Sequence, residues 1–245
     1  MLRPRARRQI VVLAPMPLEM DAIVKAFGLD PASGAKGGHW AGRVGDSDVT
    51  AIHIGMGPPA TRVATNRLFD DTDEYESVEH VMIAGICGGL DPRVDVGTLI
   101  NPEVVVDFTS GTSYNHAPPG NAPRRGKLVT TEGVTLDSGL SNRLLGSGFI
   151  AVDMETSAVA EVCEARGCPW SVYRCIGDRH FDGLLDERII SATNPDGSGD
   201  MAQVERLIAA DPGIVSKLEQ LHRDSTMAAR RAAEAAFEAC SLLDD

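Results

Sequence analysis

Positive charge is in short supply. The 245 residues carry 23 Lys and Arg against 35 Asp and Glu, a formal net charge of −12. The pI is near 4.9. Phosphate backbones and anionic lipid surfaces are bound through Lys and Arg, so this balance argues against a nucleic acid or membrane partner. Long apolar runs are missing too. The runs present are strand-sized, which leaves no candidate for a membrane-spanning helix. The N-terminal MLRPRARRQ is basic. No apolar signal core follows it, because charged and polar residues resume by Glu19, so residues 1–8 are expected to form a solvated tail. Cysteine is sparse: Cys87, Cys163, Cys168, Cys175 and Cys240 are five in number. An odd count without metal-ligand spacing implies reduced thiols in a cytoplasmic protein, with no metal and no cofactor. Of these, Cys87 lies in a glycine-rich stretch and could line a pocket.

What the chain has is enough apolar material, 43% of residues, to bury a sizeable core. One α/β domain spanning 9–245 is expected. Gln9 to Ala14 reads as a buried first strand. Pro15 and Pro17 break it, and Pro17 suits a first helical turn. Met20, Ile23, Val24 and Phe27 then supply the apolar stripe of a helix. Glu19 lies off that stripe, where an acid suits the helix dipole. His39 to Val44 and Asp48 to Ile54 read as paired strands, the second ending in the turn Gly55-Met56-Gly57. A helix carrying Val63, Ala64 and Leu68 on one side follows. His80 to Gly85 is a strand feeding the glycine turn Gly85-Ile86-Cys87-Gly88-Gly89. Val94 to Val106 reads as a strand interrupted at Gly97, 109–126 as a loop, and Lys127 to Thr131 as a strand. Residues 181–200 are polar, with a turn at Asn194-Pro195-Asp196-Gly197. Two helices, the second after Pro212, close the chain. Strand–helix alternation with glycine at strand ends predicts a central, mostly parallel sheet with helices on both faces.

The stretch Ala151 to Asp178, AVDMETSAVAEVCEARGCPWSVYRCIGD, organises the rest. Gly148 to Val152 is an apolar run. Ala158, Val159, Val162 and Cys163 follow at helical spacing, Gly167 stops the helix, and Trp170 to Ile176 reads as a second buried strand. Asp153 with Glu155, and Asp178, thus fall near the carboxyl ends of two strands of one strand–helix–strand unit. Open α/β sheets place their ligands there.

VDMETSAVAEVC followed by YRCIGD resembles the nucleoside phosphorylase/nucleosidase superfamily, and most of all its methylthioadenosine/S-adenosylhomocysteine nucleosidases. LAPMPLEM and the two glycine turns agree, so the resemblance spans roughly 9–180 of the sequence. It implies a three-layer fold, a homodimer, and cleavage of the N-glycosidic bond of a purine nucleoside. It also implies roles. Asp178 would protonate the leaving purine, Glu19 would activate the attacking water, and Arg174 would lie near the water and ribose. Glu155 and Met154 would hold the ribose. Gly57, Met56, Ile86, Cys87 and Gly88 would line ribose and base. The chain departs from the pattern in four places. Asp153 replaces a longer Glu, Ile86 a small hydroxyl residue near the water, and Gly177 a Ser. No stacking aromatic stands near Val134. Superfamily phosphorylases bind phosphate through arginines after the first strand and before the second glycine turn; neither segment carries Arg or Lys here, so hydrolysis is favoured. Against this, the segment from Gly183 through Gly197 is longer than in typical nucleosidases and looks like the hopanoid-associated adenosyl phosphorylase-like branch. A phosphorylase and a non-catalytic adenine nucleoside-binding paralogue remain as alternatives.

Overall fold

The structure, a computed structural model, describes residues 7–32, 39–70, 78–119, 124–134 and 136–244. Residues 1–6 of the expected tail lie outside them, and Arg8 already opens the first strand, β1 (Arg8–Ala14). Alternation along β1 fixes the layers. Ile10, Val12 and Ala14 pack with one core cluster, and Val11 and Leu13 with another on the opposite face. Both faces of β1 are therefore covered, which is why it reads as an unbroken apolar run.

Helix α1 (Pro17–Phe27) covers the first face together with α7 (Ile214–Ser241). Met20, Ile23 and Phe27 are its buried apolar residues. The Ala-rich end of α7 lets that helix lie close to the sheet: Ala228, Ala229, Ala232, Ala233 and Ala236 are all buried. The opposite face is covered by α2 (Pro58–Asp70) and α4 (Thr156–Arg166). In α4, Gly167 takes the left-handed conformation that ends the helix, with φ 66°. Along α2 the expected apolar side holds in part: Leu68 is buried and Ala64 packs on the core, but Val63 is 55% exposed and Thr61 and Thr65 face inward. The hydroxyl of Thr65 satisfies itself on the carbonyl of Thr61, which lets a polar residue be buried there.

The sheet is mixed, and its long strands are mostly parallel. β1 pairs in parallel with β4 (Ser47–His53) and β5 (His80–Gly89), and β5 pairs in parallel with β11 (Trp170–Arg179). A hairpin of β2 (Asp30–Pro31) and β3 (His39–Val44) continues the edge beyond β4. On the other side, β10 (Phe149–Asp153) joins β9 (Lys127–Thr130), which in turn pairs with β7 (Val104–Asp107).

Three expectations change. Residues 85–89 are not a turn. They continue β5, paired to β11 throughout and to β10 at Gly88 and Gly89. None of Gly85, Gly88 or Gly89 has positive φ. Their role is absence of bulk, as the site below shows. The stretch 94–106 divides into β6 (Leu99–Ile100) and β7, while 109–126 contains the short β8 (Ser113–Tyr114). Two helices were not foreseen: α3 (Ser138–Gly146), capped by the Asp137 carboxylate, and α5 (Glu187–Ser191), capped by Asp186. Helix α6 (Met201–Ala210) precedes α7 as expected. Among the described residues no helix is long and apolar enough to cross a membrane.

Candidate active site

The carboxyl end of β5 is a track of small residues, and acidic side chains lie across it. A Cβ on Gly85 would come within 2.1 Å of Glu19 Oε1, and one on Gly88 within 3.6 Å of Asp178 Oδ1. Glycine at 85 is thus what lets Glu19 settle on the strand.

Glu19 is 1% exposed. Its Oε1 accepts the N–H of Ile86 at 2.6 Å and its Oε2 the N–H of Met16 at 2.8 Å. Both oxygens are thereby fixed, one to β5 and one to the N-terminus of α1. Burial pushes its carboxyl up to about 7, against the opposing pull of Arg174 and of the Ile86 N–H.

Arg174 projects from β11 and is fully buried. Its Nε donates to Asp153 Oδ2 at 2.9 Å and its Nη2 to Glu155 Oε2 at 3.1 Å. Nη1 lies 3.7 Å from Glu19 Oε1 and donates no hydrogen bond. Burial opposes the guanidinium charge, but Asp153, Glu155 and Glu19 together raise its pKa above the usual arginine value. Glu155 spans from Arg174 to the N–H of Gly57, which reaches its Oε1 at 2.9 Å. Burial lifts this carboxyl to about 7 as well.

Asp153 is knitted into the protein. The Thr130 hydroxyl donates to Oδ1 at 2.7 Å, and the N–H and hydroxyl of Thr156 both donate to Oδ2. The shorter acid is thus met by two threonines and by Arg174. Asp178 is different: it is part-covered rather than enclosed and no Arg or Lys pairs with it among the described residues. Burial and then the nearby Asp182 raise its carboxyl to about 7.

These groups meet in one cavity of about 630 Å³. Of the residues singled out from sequence, Glu19, Met56, Ile86, Cys87, Gly88, Val134, Asp153, Met154, Glu155 and Asp178 line it. Arg174 and Gly57 do not; they stand behind the wall and orient Glu155 and Glu19. Cys87 is a buried thiol whose pKa is pushed well up by burial. Ile86 turns its side chain away from Glu19. Its Cγ2 lies 2.3 Å from where a Cβ on Gly177 would stand, and it packs with Cys175, Ala228 and Ala232. The two departures at 86 and 177 are therefore one: the larger side chain occupies the room left by the smaller. The described lining contains no Phe, Tyr or Trp. Val134, 44% exposed, stands at its rim.

Sequence reading missed the contribution of the chain's last third. Thr193, Asn194, Pro195 and Gly197 line the cavity, as do Leu221 and Ser225 of α7. The unusual length of the 183–197 segment was the available signal.

The sequence profile of the phosphorylase superfamily matches residues 9–147. The chain belongs to that superfamily. It is 26% identical over 192 residues to a 5′-methylthioadenosine/S-adenosylhomocysteine nucleosidase of Marinomonas sp. (strain MWYL1), covering 65% of this chain and 81% of the relative. Among solved structures, S-adenosylhomocysteine nucleosidase from Streptococcus pyogenes in complex with 5-methylthiotubericidin superposes with a TM-score of 0.71 at 13% identity, covering 98% of this chain and 99% of that one. The futalosine hydrolase of Helicobacter pylori strain 26695 superposes with a TM-score of 0.68 at 16% identity, again over 98% and 99%. At these identities the superpositions speak for the fold.

Proposed function

We propose that this superfamily member hydrolyses the N-glycosidic bond of an adenine nucleoside, such as 5′-methylthioadenosine, and releases the base. Breaking that bond requires a proton on the leaving base, a hold on the cationic ribose, and a nucleophile from the opposite face. Two acidic groups dividing acid and base work is the pattern of glycoside hydrolysis. Asp178, with its carboxyl near 7, is in part protonated at neutral pH and acts as the acid on the purine. Glu155 receives the ribose diol: Gly57 and Arg174 occupy one lone pair on each oxygen, and a carboxylate has about four. Met154 packs beside it. Glu19 takes the proton from an attacking water, with Arg174 Nη1 as the adjacent donor.

The observation that carries hydrolysis over phosphorolysis is the placement of cations. Among the described residues lining the cavity the only Lys or Arg is Arg179. It is held by Asp182 through two hydrogen bonds, at 2.9 and 3.0 Å. Arg174 is hydrogen-bonded to Asp153 and Glu155 and lies outside the lining. A phosphate arriving beside Glu19 would meet an acid at the wall, with Arg174 behind it, whereas phosphate sites are built on charge-assisted donors facing the ligand. The relative from Marinomonas, a nucleosidase by name, supports the same reading.

The test is incubation of the purified protein with 5′-methylthioadenosine, with and without inorganic phosphate. Adenine release at a phosphate-independent rate is expected. A sugar 1-phosphate product, or a rate that rises with phosphate, would transfer the protein to the phosphorylase side. Binding without cleavage would make it an adenine nucleoside-binding paralogue. The same reading carries a cytoplasmic homodimer serving methionine salvage as expectations, the first checked by light scattering in solution.

A further inference from the structure

The long segment after β11 contributes a wall that the reaction chemistry leaves unexplained. Residues 193–199 close on themselves as a tight hairpin, with a bridge between Thr193 and Gly199. The Asn194 N–H donates to the Ser198 carbonyl at 2.8 Å, and Asp196 accepts from both the N–H and the hydroxyl of Ser198. Three points tie this hairpin to the site. The Met56 N–H donates to the Pro195 carbonyl at 3.2 Å. The His53 ring nitrogen Nε2 sits between the carbonyls of Pro15 and Asp196, at 3.0 and 3.1 Å. Gly197, with φ +85°, lies on Met16, so close that a Cβ there would be 2.3 Å from Met16 Cγ.

Each anchor adjoins a carboxylate holder. Met16 supplies the N–H that fixes Glu19, and Met56 precedes the Gly57 whose N–H fixes Glu155. The wall therefore stands beside the residues that hold Glu19 and Glu155. A nucleoside with its base on Asp178 and its diol on Glu155 directs its 5′ substituent away from the base, into this wall. The hairpin and the residues it seats on bring Met16, Met56 and Pro195 to the lining as apolar groups and Asn194 and Thr193 as neutral polar ones, with Ile190 and, from α7, Leu221, His222 and Ser225 in the same cavity. Arg179 adjoins Asp178 in sequence and is paired.

We infer that the 193–199 hairpin selects nucleosides whose 5′ substituent is short and uncharged, such as a methylthio group or hydrogen, and rejects extended zwitterionic ones. A carboxylate and an ammonium without partners are strongly disfavoured against apolar groups; the only Lys or Arg of the described lining is the paired Arg179, and the lining's other basic groups are His180 and His222. The inference rests on the nucleosidase reading and deepens it.

The experiment compares adenine release from 5′-methylthioadenosine, 5′-deoxyadenosine and S-adenosylhomocysteine, alongside calorimetric binding of the first and third. The two short substrates should be preferred by kcat/KM over S-adenosylhomocysteine by about 100-fold, the loss expected from burying unpaired charge. Asn194→Lys, which places a cation on the wall, should narrow that ratio by about tenfold. Wild-type ratios within about threefold of one another, well below one desolvated charge, would overturn the inference while leaving the hydrolytic reading standing. If nothing is cleaved, the hydrolytic reading falls and binding decides the wall: a clear preference for 5′-methylthioadenosine sustains it, and equal affinities overturn it.

Discussion

Two acids of the cavity reach the same protonation range in different surroundings. Glu19 is enclosed, with both oxygens on backbone N–H groups and Arg174 beside it. Asp178 has no paired cation among the described residues, only the neighbouring Asp182. Both carboxyls are lifted to about 7, each chiefly by burial. On the proposed mechanism their environments divide the work. A carboxyl without a cation gains from holding its proton until a basic nitrogen arrives, which suits an acid. A carboxyl fixed beside a guanidinium keeps an ionised form within reach and is aimed by two hydrogen bonds, which suits a base that must meet one water. In the proposed mechanism it is position relative to Arg174, rather than the size of the shift, that separates the two roles.

The strongest break of that comparison is at the uncompensated end. Asp178→Asn removes the transferable proton and should lower kcat by about 10²–10⁴, the usual worth of a positioned proton transfer. Binding of 5′-methylthioadenosine should stay within a few-fold by calorimetry, because the acid acts as the bond breaks. Arg174→Met should be next, and its effect should be on the fold. It leaves Asp153, Glu155 and Glu19 buried together, and losing one partner of a buried pair costs about 3–5 kcal/mol. Urea unfolding measures this, and a loss below about 1 kcal/mol, the range of an exposed pair, would show that the cluster is solvated.

A smaller effect sharpens the Ile86 and Gly177 contact. Gly177→Ala forces a Cβ against Ile86 and should destabilise by about 1–3 kcal/mol, as overpacking does. Ile86→Ala in the same chain should recover most of it, and additive single and double variants would deny the contact. The smallest effect is on pH. Asp178 has a folded pKa near 7, above that of an unfolded Asp, near 3.9. The folded state therefore binds the extra proton. The stabilisation tied to it is complete below about pH 4 and is lost as pH rises through about 7. Melting temperature across that window should fall less steeply in Asp178→Asn than in the parent; identical slopes would place Asp178 in solvent.

Much of this was legible before the fold. β1, α1, α4 and β11 follow from apolar runs, a 3.6-residue stripe and Gly167, all local signals. Arg174 on an otherwise apolar strand calls for a carboxylate partner, with Glu19 the natural guess from sequence; its hydrogen-bonded partners are instead Asp153 and Glu155, which tertiary structure supplies. Other features depend on contacts made across the sheet. Glu19 lies off the apolar stripe of α1, and what buries it is β5, far along the chain. Residues 85–89 look like a glycine turn; they are a strand because β11 and β10 supply partners, and Gly85 is required because Glu19 occupies the space its side chain would fill. Ile86 and Gly177 look like two separate departures and prove to be one packing exchange. The hairpin at 193–199 is visible as a turn, but its seat on Met16 and Met56 is set by tertiary structure.

The central claim is that water, activated at the Glu19 end, attacks the sugar while Asp178 releases the base. Cleavage of 5′-methylthioadenosine in water enriched in heavy oxygen, with phosphate present, tests it most directly. The account predicts one heavy oxygen at the anomeric carbon of the free sugar, with Glu19→Gln slowing its appearance and substrate affinity unchanged. A sugar product that carries phosphate at that carbon and no heavy oxygen would contradict it.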